Sequence, residues 1–166
     1  GGGIMLNDRM MVFDKNGFSV RRFTPPGSDP EAFRCWRFNE KGTGGFVFVD
    51  GDGLYSFDYD RVPKKFEQID LGGKNDFRGM RFFEKKGMLG LVFSNGAILV
   101  DVNKMELVQA FPVESETTFD IFETDEDYYC DLSPDGSTFA FIGSAMSWND
   151  LLCYDVKTGN QKWVRP

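Results

Sequence analysis

Apolar residues in this chain fall in short runs broken by Gly, Asp, Asn or Ser-Pro, and nowhere do they recur at helical spacing over a comparable length. Phe46 to Val49, Leu89 to Phe93 and Phe139 to Ile142 are three such runs. Each follows a polar turn that ends in glycine, at Gly42, Gly87 and Gly136, and each leads into a second turn rich in Gly, Asp or Asn. A further run then ends in an apolar residue plus aspartate: Phe57-Asp58, Val100-Asp101 and Tyr154-Asp155, with Phe13-Asp14 in the same slot. A last strand closes each unit, predicted over Phe18 to Phe23, Lys65 to Ile69, Glu106 to Phe111 and Gln161 to Val164.

These strands form a repeat. Phe33-Arg34-Cys35-Trp36-Arg37-Phe38 recurs as Phe77-Arg78-Gly79-Met80-Arg81-Phe82, the same frame displaced by 44 positions. The four aspartates are spaced by 44, 43 and 54 residues, which is one period with an expanded last unit. Four strands per period in the forties predict a β-propeller blade, whereas a sandwich gives no reason for every fourth strand to carry one motif. The predicted fold class is therefore all-β, a β-propeller of about three complete four-stranded blades plus one incomplete blade. The partial blade covers 1–23, the complete ones 33–70, 77–112 and 128–166, and an acidic insertion occupies 113–127. The first unit opens at what reads as a second strand, Gly3 to Leu6, after a linker-like Gly1-Gly2-Gly3. A closed ring usually needs 4 to 8 blades, so this reads either as a small four-bladed ring missing one strand or as part of a larger propeller completed by further sequence or another chain, and the second is favoured.

Leu132-Ser133-Pro134-Asp135-Gly136, followed by Leu152-Cys153-Tyr154-Asp155-Val156-Lys157-Thr158-Gly159, resembles a WD-repeat blade. In that family a turn of the F-S-P-D-G type precedes a strand ending W-D-x-x-T-G. The other units match in outline. The chain has no histidine, so the family's Gly-His dipeptide is missing. Asp155-Val156-Lys157-Thr158-Gly159 with Trp163 is also similar to the closing strands of pyrroloquinoline-quinone-type propellers. Either resemblance implies a propeller.

An apolar fraction of 41% with 18 Phe predicts a folded chain with a sizeable core. No run approaches the length of a membrane-spanning helix. Cys35, Cys130 and Cys153 each sit inside an apolar or aromatic run, outside any C-x-x-C pair, and read as buried reduced thiols. With no N-glycosylation sequon, they point to an intracellular, cytoplasmic protein.

Without histidine neither a Ser-His-Asp nor a Cys-His triad can form, and the commonest metal ligand is gone. The expectation is therefore no enzyme, no catalytic residue, no metal and no cofactor. Asp50-Gly51-Asp52-Gly53 has calcium-loop residue types, but the distal glutamate such a loop requires would fall in a strand, so it reads as a hairpin turn. Asp135-Gly136, Asn95-Gly96 and Asn16-Gly17 read the same way, and Gly72-Gly73 as a loop without a phosphate-binding helix. The paired arginines Arg34 with Arg78 and Arg37 with Arg81 either line a rim or channel as an anion site, or else pair with acids of neighbouring strands or lie along the Phe-rich core with their charged ends in water, and the latter reading is favoured. A net charge of −7 argues against nucleic acid.

Charge is segregated. Between Met105 and Val156 there is no Lys or Arg but there are twelve acids, while elsewhere 19 basic residues outnumber the other 14 acids. The candidate partner-binding residues are Glu114, Glu116, Phe119, Asp120, Ile121, Phe122, Glu123, Asp125, Glu126 and Asp127. Carboxylates there would steer a basic protein partner, and the three large apolar side chains would anchor it. A solvated loop is the plainer reading. The functional expectation is a non-catalytic protein-protein interaction scaffold, with neither nucleic acid nor membrane as partner. The alternatives are a propeller domain of an enzyme whose active site lies in the channel or in another domain, and a purely structural segment of a larger assembly.

Overall fold

The computed structural model describes residues 2–6, 9–13, 19–23, 33–41, 43–49, 52–58, 61–67, 69, 77–113, 130–143 and 150–165. Among them are fifteen strands in four antiparallel sheets and one short 3-10 turn, Glu84–Lys86. The first sheet has three strands, β1 (Gly2–Leu6), β2 (Arg9–Phe13) and β3 (Ser19–Phe23). The second has β4 (Phe33–Phe38), β5 (Gly44–Val49), β6 (Gly53–Asp58) and β7 (Arg61–Lys65). The third has β8 (Phe77–Phe83), β9 (Met88–Phe93), β10 (Gly96–Asp101) and β11 (Glu106–Pro112). The fourth has β12 (Cys130–Leu132), β13 (Thr138–Gly143), β14 (Asp150–Asp155) and β15 (Gln161–Arg165). In every sheet the spatial order is the chain order, so each is a blade-like meander. The first two sheets lie in one compact unit, Gly1–Glu67, and the last two in another, Gln68–Pro166.

The repeat extends to irregularities in the ladders. In all four sheets the pairing of the last two strands slips where the run reaches its repeat aspartate: at Val12/Phe13, between Ser56 and Asp58, at Leu99/Val100 and at Cys153/Tyr154. The outermost strand carries the extra residue each time, and such a bulge bends that strand and sharpens its twist. A second bulge recurs where β4 meets β5 and where β8 meets β9, with Arg34 and Arg78 as the extra residues. The repeated F-R-x-x-R-F frame thus encodes a backbone feature: its first arginine is the bulge residue in both copies.

One strand lies elsewhere than the sequence predicts. The last strand of the second sheet is Arg61–Lys65, not Lys65 to Ile69. Asp58 pairs directly with Arg61, so a two-residue connection stands where the third sheet has four residues between Asp101 and Glu106. Pro63 argues against a strand only where an amide must donate, and here Val62 and Pro63 together face Phe57 at the bulge of an outer strand. Phe66 then continues the pairing through its amide to the Leu54 carbonyl at 2.9 Å and sets its ring edge-on to Phe46. Asp14, Asn16-Gly17, Gly42, Asp50-Gly51, Gly72-Gly73, the fourteen-residue core of the insertion and the side chains of Arg34 and Cys35 lie outside the described residues.

In the second unit the third and fourth sheets pack face to face. Val92, Ala97, Leu99 and Phe111 from one meet Cys130, Phe139, Phe141, Leu152 and Tyr154 from the other. Phe139 is the centre: its ring stacks on Phe111 at 5.0 Å, tilts against Phe141 and receives Phe83 edge-on. Phe141 stacks on Tyr154 at 5.4 Å. The sheets approach this closely because residue 90 is glycine, where a Cβ would stand 2.9 Å from the Phe139 ring and 3.0 Å from Cys130 Sγ. Cys130 and Cys153 are buried thiols, as their apolar surroundings predict. In the first unit β5 is buried along its whole length. No helix among the described residues is long and apolar enough to cross a membrane.

Candidate functional site

Two of the repeat aspartates, Asp101 and Asp155, close the turns that lead into β11 and β15. Asp101 Oδ1 accepts the amides of Asn103 and Lys104 at 3.0 and 3.1 Å. Asp155 Oδ1 accepts the Thr158 amide at 2.9 Å and the Thr158 hydroxyl at 3.0 Å, while Lys162 lies 3.4 Å from its other oxygen. These donors hold the Asp155 carboxyl below the usual carboxylate range, the Thr158 amide contributing most. Asp135 plays the same part between β12 and β13: it accepts the hydroxyls of Ser133 and Ser137 and the Ser137 amide, and its pKa is lowered to about 2. Such carboxylates satisfy backbone donors that a tight turn leaves without strand partners.

Asp52 has a side-chain network instead. Lys65 donates to Oδ1 at 2.7 Å and the Tyr55 hydroxyl donates to Oδ2. The Lys65 bond, then the Tyr55 bond, lower the Asp52 pKa, and burial followed by the bond to Asp52 raises that of Tyr55. Asp52 is thus committed to a lysine and a tyrosine, and its amide donates to the Val49 carbonyl at 3.2 Å, the closure of the expected hairpin turn. Among the described residues no group of three or more Cys, Asp or Glu could hold a metal ion.

The ten candidate partner-binding residues, Glu114, Glu116, Phe119, Asp120, Ile121, Phe122, Glu123, Asp125, Glu126 and Asp127, lie outside the described residues. What the structure describes is the base from which they spring, the end of β11 and the start of β12. At the first, the Tyr154 hydroxyl donates to the Pro112 carbonyl at 2.8 Å, and the Val113 amide donates to the Asn95 carbonyl at 3.3 Å. At the second, Arg81 Nη1 donates to the Cys130 carbonyl at 3.2 Å and lies 3.3 Å from Asp131 Oδ1. The Arg81 guanidinium also sits 5.4 Å from the centre of the Phe83 ring. Both ends of the acidic connection are therefore tied to sheet residues, and Arg81 belongs to a seam between sheets, as the favoured reading of the arginines has it.

Tyr154 was not singled out by sequence reasoning, although a signal existed. Its slot before the repeat aspartate holds Phe13, Phe57 and Val100 in the other units, and a hydroxyl stands only where the long connection leaves the neighbouring sheet.

No protein-family model matches the chain, and no curated protein matches it. Among solved structures the chain is similar to hydrazine synthase of Kuenenia stuttgartiensis, at 13% identity and a TM-score of 0.60 over 95% of this chain. It spans 43% of that protein's chain. At this identity the likeness shows a shared fold, covering nearly all of the chain.

Proposed function

We propose that this chain is a β-propeller segment that acts as a protein-protein interaction scaffold without chemistry of its own. The observation that carries the architecture is the recurrence of one meander four times, with its outer bulge at the same register and, in the second unit, with consecutive sheets stacked face to face. The WD-repeat resemblance is kept for the fourth sheet, whose Asp135 and Asp155 close their turns as described above.

The binding surface in this reading is the acidic connection from 113 to 127. Its support is the contrast between eight carboxylates crowded from Glu114 to Asp131 and the tied base at Pro112 and Cys130. A tied base lowers the ordering cost of engaging a partner, and the summed charge steers a basic protein towards Phe119, Ile121 and Phe122. Deleting Val113 to Thr124 and repeating pull-downs from the source cell tests it. Loss of a specific partner is expected, and retention of every interaction would reduce the connection to a solvated loop.

A second reading has one observation in its favour. The similar solved chain is named as an enzyme, and this chain matches less than half of it. In that reading the segment is a structural part of a larger catalytic assembly. Recovery of the same partner complex after deletion of Val113 to Thr124 would favour it.

A further inference from the structure

β11 ends the third sheet, and it is built differently from the other closing strands. β3, β7 and β15 carry two or three basic residues each, whereas β11 reads Glu-Leu-Val-Gln-Ala-Phe-Pro and exposes Leu107 and Val108, at 39% and 37%. A free strand edge of that composition is a template for an extended chain. Backbone bonding shows which of its groups face that edge. The Val113 amide donates to the Asn95 carbonyl in the turn between β9 and β10, so Val113 directs its backbone towards β10. Alternation along an antiparallel strand then turns the groups of Ala110 and Pro112, opposite Ile98 and Gly96, outward. Proline suits that place, because no ladder bond needs its missing N–H there. Both outward carbonyls are occupied. That of Pro112 accepts the Tyr154 hydroxyl of the fourth sheet at 2.8 Å, and that of Ala110 accepts the Gln109 side-chain amide at 3.1 Å. The turn after β14 lies against this amide: a Cβ on Gly159 would collide with Gln109 Nε2 and stand 3.7 Å from the Ala110 oxygen.

We infer that these contacts are a protective closure: through Tyr154 and the Gly159 turn, the fourth sheet seals the outer edge of β11 against strand addition, and once unsealed, β11 of one copy pairs with β11 of another. The third and fourth sheets, which alone carry this inference, belong to one compact unit. What stays open, Glu106 to Val108, is three residues broken by the Val108 bulge, less than a stable added strand needs. Releasing both carbonyls extends the free edge to the whole of β11. Two copies of that edge suit each other. The strand has one charged residue, Glu106, and it lies at the end, so in an antiparallel pair the two glutamates stand apart while Leu107 and Val108 of each copy leave water.

The whole chain carrying Tyr154→Phe together with Gln109→Ala tests this against Ile98→Val, a change at a buried site on β10 that loosens the same sheet and leaves the edge untouched. Urea brings the two proteins to the same folded fraction, and light scattering follows their association. The double variant should associate about tenfold faster, the factor that one freed hydrogen-bonding group supplies. The Ala110 amide, which faces the same edge, should exchange freely in the unaltered chain and become protected in the associated double variant. Adding Val108→Lys, which gives β11 the charge that the other closing strands carry, should return the rate to that of Ile98→Val. Backbone amide spectra establish that the sheets persist, and if the double variant loses them Gln109→Ala alone takes its place. Equal rates for the double variant and Ile98→Val would overturn the inference, because association would then follow stability alone. Association that Val108→Lys leaves unchanged, or that protects another strand and not Ala110, would overturn it as well.

Discussion

Phe139 is the side chain on which the stacking of the third and fourth sheets most depends, and replacing it with alanine isolates that dependence. It is 0% exposed, with Phe111 stacked on one side, Phe83 edge-on and Phe141 alongside, and Gly90 of the facing sheet lies beneath its ring edge. Truncating a fully buried phenylalanine removes its transfer free energy and leaves a void that rigid sheets cannot collapse, about 3 to 5 kcal/mol together. That is a large share of the roughly 5 to 15 kcal/mol that separates a folded domain from its unfolded chain. Urea unfolding followed by amide exchange in β9, β10, β13 and β14 is the assay, since these strands carry the seam. With a slope near 2 kcal/mol per molar, a loss of about 4 kcal/mol lowers the midpoint by about 2 M. Leu107→Ala, at a site 39% exposed on β11, is the control and should move stability by no more than about 0.5 kcal/mol. A loss at Phe139 below about 1 kcal/mol, or equal to that at Leu107, would refute the stacked-sheet account.

Tyr154→Phe keeps the ring stacked on Phe141 and removes only the bond to the Pro112 carbonyl, so it should cost about 0.5 to 1.5 kcal/mol and speed amide exchange at Val113 more than in β13. Acid should weaken the fold through Asp52, Asp135 and Asp155, whose carboxyls are all lowered in the folded state. Their contribution is complete above the unfolded carboxylate range near pH 4 and fades as pH falls through the folded values, to about 2 for Asp135. Thermal unfolding measured from pH 5 to about pH 2 should show this decline, and Asp135→Asn combined with Asp155→Asn should flatten it.

The meander architecture was legible because its signals are local and repeated. Runs such as Leu89 to Phe93 have no polar alternation to disguise them, and Asn95-Gly96 or Asp135-Gly136 mark the turns where backbone geometry selects glycine. The last strand of the second sheet escaped because the expectation carried over the longer connections of the other units, while Asp58 pairs with Arg61 across a tight one. Bulges escaped for a different reason: an extra residue leaves the apolar pattern of its strand nearly unchanged, and only the cross-strand register exposes it. Arg81 could be placed on a strand by its repeat but not assigned a partner, since Asp131 is fifty positions away and meets it only once two sheets stack. The acids from Glu114 to Asp127 belong to the stretch by which the last unit exceeds the period, so the period that organises the rest of the chain says nothing of their geometry.

The charge segregation around this connection divides into two parts once the strands are known. Outer strands expose ladder groups that would pair with any passing strand, and lysine, arginine, proline and bulges are the usual protections. Arg21 and Arg22 on β3, Arg61, Lys64 and Lys65 on β7, and Lys162 and Arg165 on β15 place seven of the 19 basic residues on such strands, each of which also carries a bulge. Much of the basic excess outside the acidic stretch is therefore accounted for by edge protection and requires no anionic partner. β11 is the exception: it has no basic residue, it exposes Leu107 and Val108, and Val108 is its own bulge residue. Its edge is guarded by the bulge, by Glu106 at one end and by Pro112 at the other, immediately before the acidic connection begins. Edge protection therefore accounts for much of the basic half of the asymmetry but not for the acids from Glu114 to Asp127, and that remainder is what a basic partner would explain.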